Sequence, residues 1–272
     1  MTKCHLLLIC AVIALLPGCK RAGGPSLSEY GAQSEASQAA RFEQYALELA
    51  GLPLDEALRR QEERMEEAES DSARWRQETA LQDKFFMDPN SPYRNEEFYL
   101  PVAFHLADSP LATEEQRNRA RWILPRLQLN RLGTIAADIP FTLRDGRTTT
   151  LHAAIDSHHP KLTLLFFSNP GCPNCKEITE ALAEDPVVSR KMASGELLVV
   201  NIYPDEDLQA WLDYLPNYPS EWICGHDAEQ ILFSDTRYWL RAIPSLYLLD
   251  EEKRVVRKDA PLEQILIDCK ER

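Results

Sequence analysis

Two hydrophobic periods divide this 272-residue chain. Between residues 36 and 132, apolar positions recur every three or four residues, as in helices buried along one face. Phe42, Tyr45, Leu49 and Leu52 share such a face, and Gly51 with Pro53 ends it. Asp55 is placed to cap a second helix with Leu58, Met65, Ala68 and Trp75 on one side. Glu62, Glu63, Glu66, Glu67 and Glu69 cover the rest of it, which predicts a solvated face rather than a binding site. Residues 88–92, Asp-Pro-Asn-Ser-Pro, break the pattern. Residues 95–107 resume it, with Phe98, Val102 and Leu106 on one face and Pro101 as a kink position. Thr113 and Gln116 have capping-box spacing, at the head of a helix that carries Trp122 and Ile123 and is disturbed by Pro125. No catalytic constellation occurs in this stretch. It reads as an all-helical accessory domain over residues 38–132.

From residue 133 to 272 the pattern becomes short apolar runs alternating with helical segments. Ile139-Pro140-Phe141-Thr142-Leu143, a turn at Asp145-Gly146 and Thr148-Thr149-Thr150-Leu151 form a hairpin signal. Residues 161–167 and 197–203 are apolar enough for fully buried strands. Residues 153–156, 205–215 and 228–240 look helical. Residues 245–249 and 255–256 read as paired strands, and Pro261 opens a last helix through Lys270. The order, hairpin then β-α-β-α then β-β-α, implies an α/β domain with a mixed sheet covered on both faces.

The candidate chemistry lies where the first buried strand ends. In Phe166-Phe167-Ser168-Asn169-Pro170-Gly171-Cys172-Pro173-Asn174-Cys175, Pro170-Gly171 makes a turn and Pro173 suits the first position of a helix. Cys172 then falls at the N-cap, facing free backbone N–H groups and the positive end of the helix dipole, an environment that favours a thiolate. Cys175 follows one turn later, close enough to close a disulfide on Cys172. A purely structural disulfide is the blander reading, but so short a loop constrains little chain entropy.

Charge and cysteine usage narrow the setting. A net charge of −13 argues against nucleic acid or an anionic membrane surface as partner. Lys3 followed by the apolar run 6–16, too short to span a bilayer, reads as a signal peptide over residues 1–18. It ends in Leu16-Pro17-Gly18-Cys19, which resembles a bacterial lipobox; the resemblance implies cleavage before Cys19 and a lipid on its sulfur. Residues 19–37, rich in Gly, Ser, Ala and Pro, read as a tether. Of seven cysteines, Cys4 and Cys10 leave with the signal, and Cys172, Cys175, Cys224 and Cys269 remain with Cys19. Beyond Cys172-x-x-Cys175, no second Cys or Cys/His pair has zinc-finger spacing, and adjacent His158 and His159 suit a turn, so neither metal nor cofactor is expected. Cys224 and Cys269 read as small buried hydrophobes, with a third redox thiol or a mutual pairing as alternatives. His226 reads as a surface or capping residue, Lys176 as an ordinary early-helix lysine that could also bias the cysteines, and Trp211, Trp222 and Trp239 as core.

Three features together resemble the thioredoxin fold over about residues 134–272: the strand–Cys172-x-x-Cys175–helix unit, Ile243-Pro244 ahead of a strand, and the strand-turn-strand-helix ending. The resemblance implies that Pro244 is the cis-proline beside the active-site cysteines, that Cys172 is the attacking thiolate and that Cys175 resolves the mixed disulfide. The leading hairpin is similar to the N-terminal extension of the exported TlpA/ResA-like and peroxiredoxin-like branches. Residues 88–97 resemble a motif of an uncharacterised domain that precedes thioredoxin folds in Bacteroidetes lipoproteins. The chain departs from the family in three places: Gly171 stands where Trp is typical, Pro173-Asn174 replaces Gly-Pro, and Phe166 takes the place of the buried acid, which TlpA/ResA-like members also lack.

The combined expectation is a lipid-anchored envelope thiol–disulfide oxidoreductase, a reductase or isomerase, acting on thiols and disulfides of exported proteins. A membrane redox partner would keep it reduced. Lys20 is not an acidic inner-membrane retention signal, which points to the outer membrane facing the periplasm. The alternative is a non-enzymatic binding lipoprotein whose helical half captures a partner, with the thioredoxin fold as scaffold.

Overall fold

The computed structural model describes residues 35–234 and 237–272; the signal peptide, Cys4, Cys10, Cys19 and Lys20 lie outside the described residues. Five helices come first: α1 Glu35–Ala50, α2 Leu54–Ala68, α3 Ser72–Gln82, α4 Glu96–Asp108 and α5 Glu114–Leu127. A π-helical turn, Asp83–Met87, extends α3. Their core gathers Phe42, Leu49, Met65, Trp75, Phe86 and Tyr99, all essentially fully buried. The predicted single helix through Met65 and Trp75 is instead two helices. Asp71 breaks it, its carboxylate accepting from the N–H groups of Ala73 and Arg74 at 2.9 Å, and so caps α3. Asp55 is not a cap; it lies in the first turn of α2 behind Pro53. The capping box of Thr113 and Gln116 opens α5, and Pro101 and Pro125 sit inside α4 and α5 without ending them. The glutamate run of α2 faces solvent. The opposite side buries a polar network: Arg64 forks onto Glu78 at 2.6 and 2.9 Å, while Gln61 joins Tyr45 and Gln82.

The second half is a seven-stranded mixed sheet in the order β2-β1-β5-β4-β3-β6-β7. Its strands are β1 Pro140–Leu143, β2 Thr148–Thr150, β3 Leu162–Phe167, β4 Leu197–Tyr203, β5 Ile223–His226, β6 Ser245–Asp250 and β7 Val255–Arg257. β3 runs parallel to β4 and antiparallel to β6. Helices α6 Leu151–His158 and α10 Ile231–Ser234 belong to one face, and α7 Pro173–Glu184, α8 Pro186–Ala193 and α11 Leu262–Glu271 to the other. Side chains of β3 alternate between the two cores, Leu162, Leu164 and Phe166 to one and Leu165 and Phe167 to the other. Burial on both faces explains the unbroken apolar runs.

Two expectations for this half are corrected. Ile223–His226, which the expected element order left without a strand, form β5, which pairs parallel to β4 and antiparallel to β1. Its Gly225 is required by packing, because a Cβ there would lie 2.3 Å from the Phe141 ring. The helix expected over 228–240 shrinks to α10. Gln230 has a left-handed φ of 52°, and the Asp227 carboxylate caps the short helix through Ile231 and Leu232. Beyond it the chain is tied to the inter-domain segment: Asn130 Nδ2 donates to the Arg237 carbonyl at 2.7 Å and the Tyr238 hydroxyl to that of Ala137 at 2.8 Å. A third difference concerns α9, Leu208–Tyr214, which starts later than expected because Asp207 caps it.

A buried ion cluster joins the halves. Glu96, at the start of α4, lies 2.9 Å from Arg241 Nε and 2.7 Å from Lys258 Nζ. Arg241 Nη2 reaches Asp259 at 2.5 Å and Nη1 donates to the Met87 carbonyl. Lys258 also donates to the carbonyls of Leu127 and Leu129 at 3.0 and 2.5 Å. Burial lowers the Arg241 pKa, but the carboxylates of Asp259 and Glu96 outweigh it and leave the guanidinium raised. Burial pushes the Glu96 carboxyl up, against the pull of Lys258 and Arg241. Glu96→Gln keeps the shape and removes the charge that two buried cations share. It should lower the stability of the protein by about 3–5 kcal/mol, read as a lower urea midpoint. Glu67→Gln on the exposed face of α2 should shift it by less than about 0.5 kcal/mol.

Candidate functional site

The Cys172–Cys175 turn stands at the C-terminal end of β3. Gly171 takes a left-handed φ of 78°, a conformation glycine adopts without strain and a tryptophan would not, which gives a local reason for that departure. Cys172 is the N-cap of α7 and Pro173 its first residue. The Cys172 sulfur accepts the Cys175 N–H at 3.2 Å, so a free donor of the helix start points at the sulfur itself. Both thiols are free in this structure. Cys172 is half-buried, whereas Cys175 is turned into the core and only 3% exposed. Burial, reinforced by the neighbouring Cys172 sulfur, pushes the Cys175 thiol up to about 12.

Pro244 reaches the same end of the sheet from the other side. The Ile243–Pro244 bond is cis, and β6 begins immediately after it, with Ser245 opposite Phe167 of β3. Ile243 and Pro244 line one cleft together with Asn174, Glu177 and Ile178 of α7. The three predicted site residues therefore gather at one end of the central strands, Cys172 and Cys175 at the start of α7 after β3 and Pro244 just ahead of β6.

Sequence reasoning missed a polar cluster beneath the turn. Ser168 Oγ lies 2.8 Å from the Tyr218 hydroxyl and accepts from Asn201 Nδ2 at 2.7 Å, all three groups being buried. Its signal was a lone Asn inside the apolar run of β4. Phe166, at the position of the family's acid, is fully buried and meets Trp222 edge-on at 6.3 Å. Lys176 pairs with Glu180 one turn along α7.

The remaining thiols stand apart from this chemistry. Cys224 and Cys269 are both buried and free. Burial raises both, Cys269 to about 11, and for Cys224 the Arg144 guanidinium, 3.1 Å from its sulfur, works against the rise. His226 corrects its expectation: it is buried and stacked between Tyr203 and Trp211, with Nε2 2.9 Å from the Asp205 carbonyl. His158 and His159 do form the end of α6, His159 in the left-handed region. No group of three or more His, Cys, Asp or Glu side chains among the described residues is arranged to hold a metal.

A family model described as a domain of unknown function (DUF5106) matches residues 33–130. The solved structure of a thioredoxin-like protein from Bacteroides caccae aligns over 99% of both chains at 32% identity, with a TM-score of 0.76. The C-terminal domain of an uncharacterized protein from Bacteroides fragilis is 40% identical over 52% of this chain and 98% of that one, with a TM-score of 0.49. The thioredoxin domain of a thiol-disulfide oxidoreductase from Bacteroides vulgatus aligns over 51% of this chain and 96% of that one at 18% identity, with a TM-score of 0.43. None of the curated proteins matches. The end-to-end likeness to the Bacteroides caccae protein carries the family assignment.

The two cysteines predict unequal chemistry. Iodoacetamide at pH 7–8 should label Cys172 of the reduced protein and spare Cys175, Cys224 and Cys269. Cys175 should stay unlabelled up to about pH 9, because a thiol raised to about 12 gains thiolate character only above that. Peptide mass spectrometry reads the outcome, and equal labelling of Cys172 and Cys175 would contradict it.

Proposed function

The chain belongs to the thioredoxin-like proteins that carry an N-terminal DUF5106 domain, and from that premise we propose that it is a thiol–disulfide oxidoreductase of the cell envelope. The observation that carries the reading is the asymmetry of the pair: Cys172 half-exposed at a helix N-cap, Cys175 buried one turn behind it. The Cys172 thiolate attacks one sulfur of a substrate disulfide. A Cys172–substrate S–S bond forms, and the second substrate sulfur leaves as a thiolate. Cys175 then attacks the Cys172 sulfur. Its proton, held tightly by burial, passes to a departing substrate thiolate as the Cys172–Cys175 bond forms. The substrate gains two electrons and is released as a dithiol, and the enzyme is left oxidised.

A further dithiol, a membrane redox partner, must reduce the Cys172–Cys175 disulfide for a second turnover. The substrates are disulfides of exported proteins and the direction is that of a reductase or isomerase. The support for location comes from residues 1–19: the basic Lys3, the apolar run 6–16 and Leu16-Pro17-Gly18-Cys19, with lipid on Cys19 anchoring the protein to the outer membrane, facing the periplasm. Among the described residues no helix is long and apolar enough to cross a membrane.

A Cys175→Ser variant expressed in the native envelope should accumulate mixed disulfides with other proteins, visible as dithiothreitol-sensitive bands. Cys172→Ser should give none. If Cys175→Ser traps nothing, the oxidoreductase reading fails and a binding role for the helical half takes its place. The reducing direction predicts a Cys172/Cys175 potential near about −270 mV rather than about −120 mV.

A further inference from the structure

A cleft of about 350 Å³ separates the redox edge of the sheet from the helical half. Its floor is Ile243 and Pro244, and one wall is Asn174 and Glu177 from the first turns of α7. The facing wall is Pro89 and Asn90, from the loop between the π-helical turn and α4. We propose that the helical half is the second wall of the substrate site. In that role it selects an extended, locally unfolded polypeptide whose cysteine is flanked by an apolar and a basic residue. This inference rests on the oxidoreductase reading and says which disulfides that chemistry reaches.

Three observations support it. First, the loop that forms the far wall is pinned to the sheet domain. Arg94 donates through Nε and Nη2 to the carbonyls of Asp259 and Ala260 at 2.9 and 3.0 Å, and Asn95 N–H donates to the Phe86 carbonyl at 3.1 Å. Arg241, three residues before Pro244, donates to the Met87 carbonyl and pairs with Glu96 and Asp259. The buried cluster thus holds the floor and the far wall together. Second, a cleft of about 350 Å³ with a wall on each side admits an extended chain rather than a folded surface. Third, the lining has a definite chemistry. The floor is apolar, with Ile178 and Leu262 adding to it. Lys176 is occupied by Glu180, and Arg94, the cation of the facing wall, by the carbonyls of Asp259 and Ala260, which leaves the Glu177 carboxylate to the cleft. A chain of net charge −13 also disfavours acidic substrates.

The test compares two substrates on the full-length protein: a disulfide-linked peptide with Leu and Lys flanking its cysteine, and hydroxyethyl disulfide, which has no flanking chain. The readout is the ratio of their kcat/KM values. Asn90→Trp fills the cleft from the helical side and should lower the ratio about tenfold, the order expected when an apolar subsite is blocked. Glu177→Lys, on the opposite wall, should lower it too, and more at low salt than at high salt. Both side chains are exposed, and a thermal melt checks that each variant is folded. A ratio unmoved by either folded variant would overturn the second wall while leaving thiol–disulfide exchange in place. Failure of the wild type to reduce either disulfide would overturn both readings.

Discussion

Three cations and two carboxylates meet in the interior where the helical and sheet halves touch. Removing such charges from water is costly, and the cost is offset only when every charge finds a partner. Here each does: Glu96 faces Arg241 and Lys258, Asp259 faces Arg241 and Arg94, and the remaining donors end on carbonyls of Met87, Leu127, Leu129 and Ala260. Neither half can bury its share alone without stranding a charge. The two halves are thereby committed to one relative placement. Trp122 against Trp239 extends the same seam.

That seam runs beside the redox edge. Arg241 precedes Pro244 by three residues, and Ser245 just after it donates to Asp259 at 2.8 Å. The loop that presents Pro244 is therefore held from both sides by groups that also hold α4. In a thioredoxin fold standing alone, this edge would be open to solvent. Here Pro89 and Asn90 stand across from it. The helical half contributes no thiol and no base. What it contributes is a boundary, and the rigidity of that boundary comes from the charge cluster.

Much of this was legible in local sequence, because the determinants were local. The Cys172 N-cap and Pro173 at the first helical position need only four residues and the rules of helix starts. The capping box at Thr113 and Gln116 and the buried strands β3 and β4 likewise follow from short windows. Failures came where a distant partner decided. β5 is four residues long, contains Gly225 and His226, and is a strand because β4 and β1 flank it. The 228–240 segment has helical composition, but Asn130 and Ala137 hold Arg237 and Tyr238 in another course. His226 looked like a surface residue until Tyr203 and Trp211 closed over it.

By itself the sequence determined most of the elements, the two-part organisation, the candidate cysteine pair and the candidate proline, since each depends on residues within a turn or two of one another. Only the tertiary structure decided how deeply Cys175 is shielded, because it is buried in a core with Tyr218, Trp222 and Leu246 from far along the chain. It also decided that Pro89 and Asn90 of the helical half wall one side of the cleft lined by Ile243 and Pro244. That placement depends on Glu96 meeting Arg241 and Lys258 across more than a hundred residues, a pairing that no local pattern encodes.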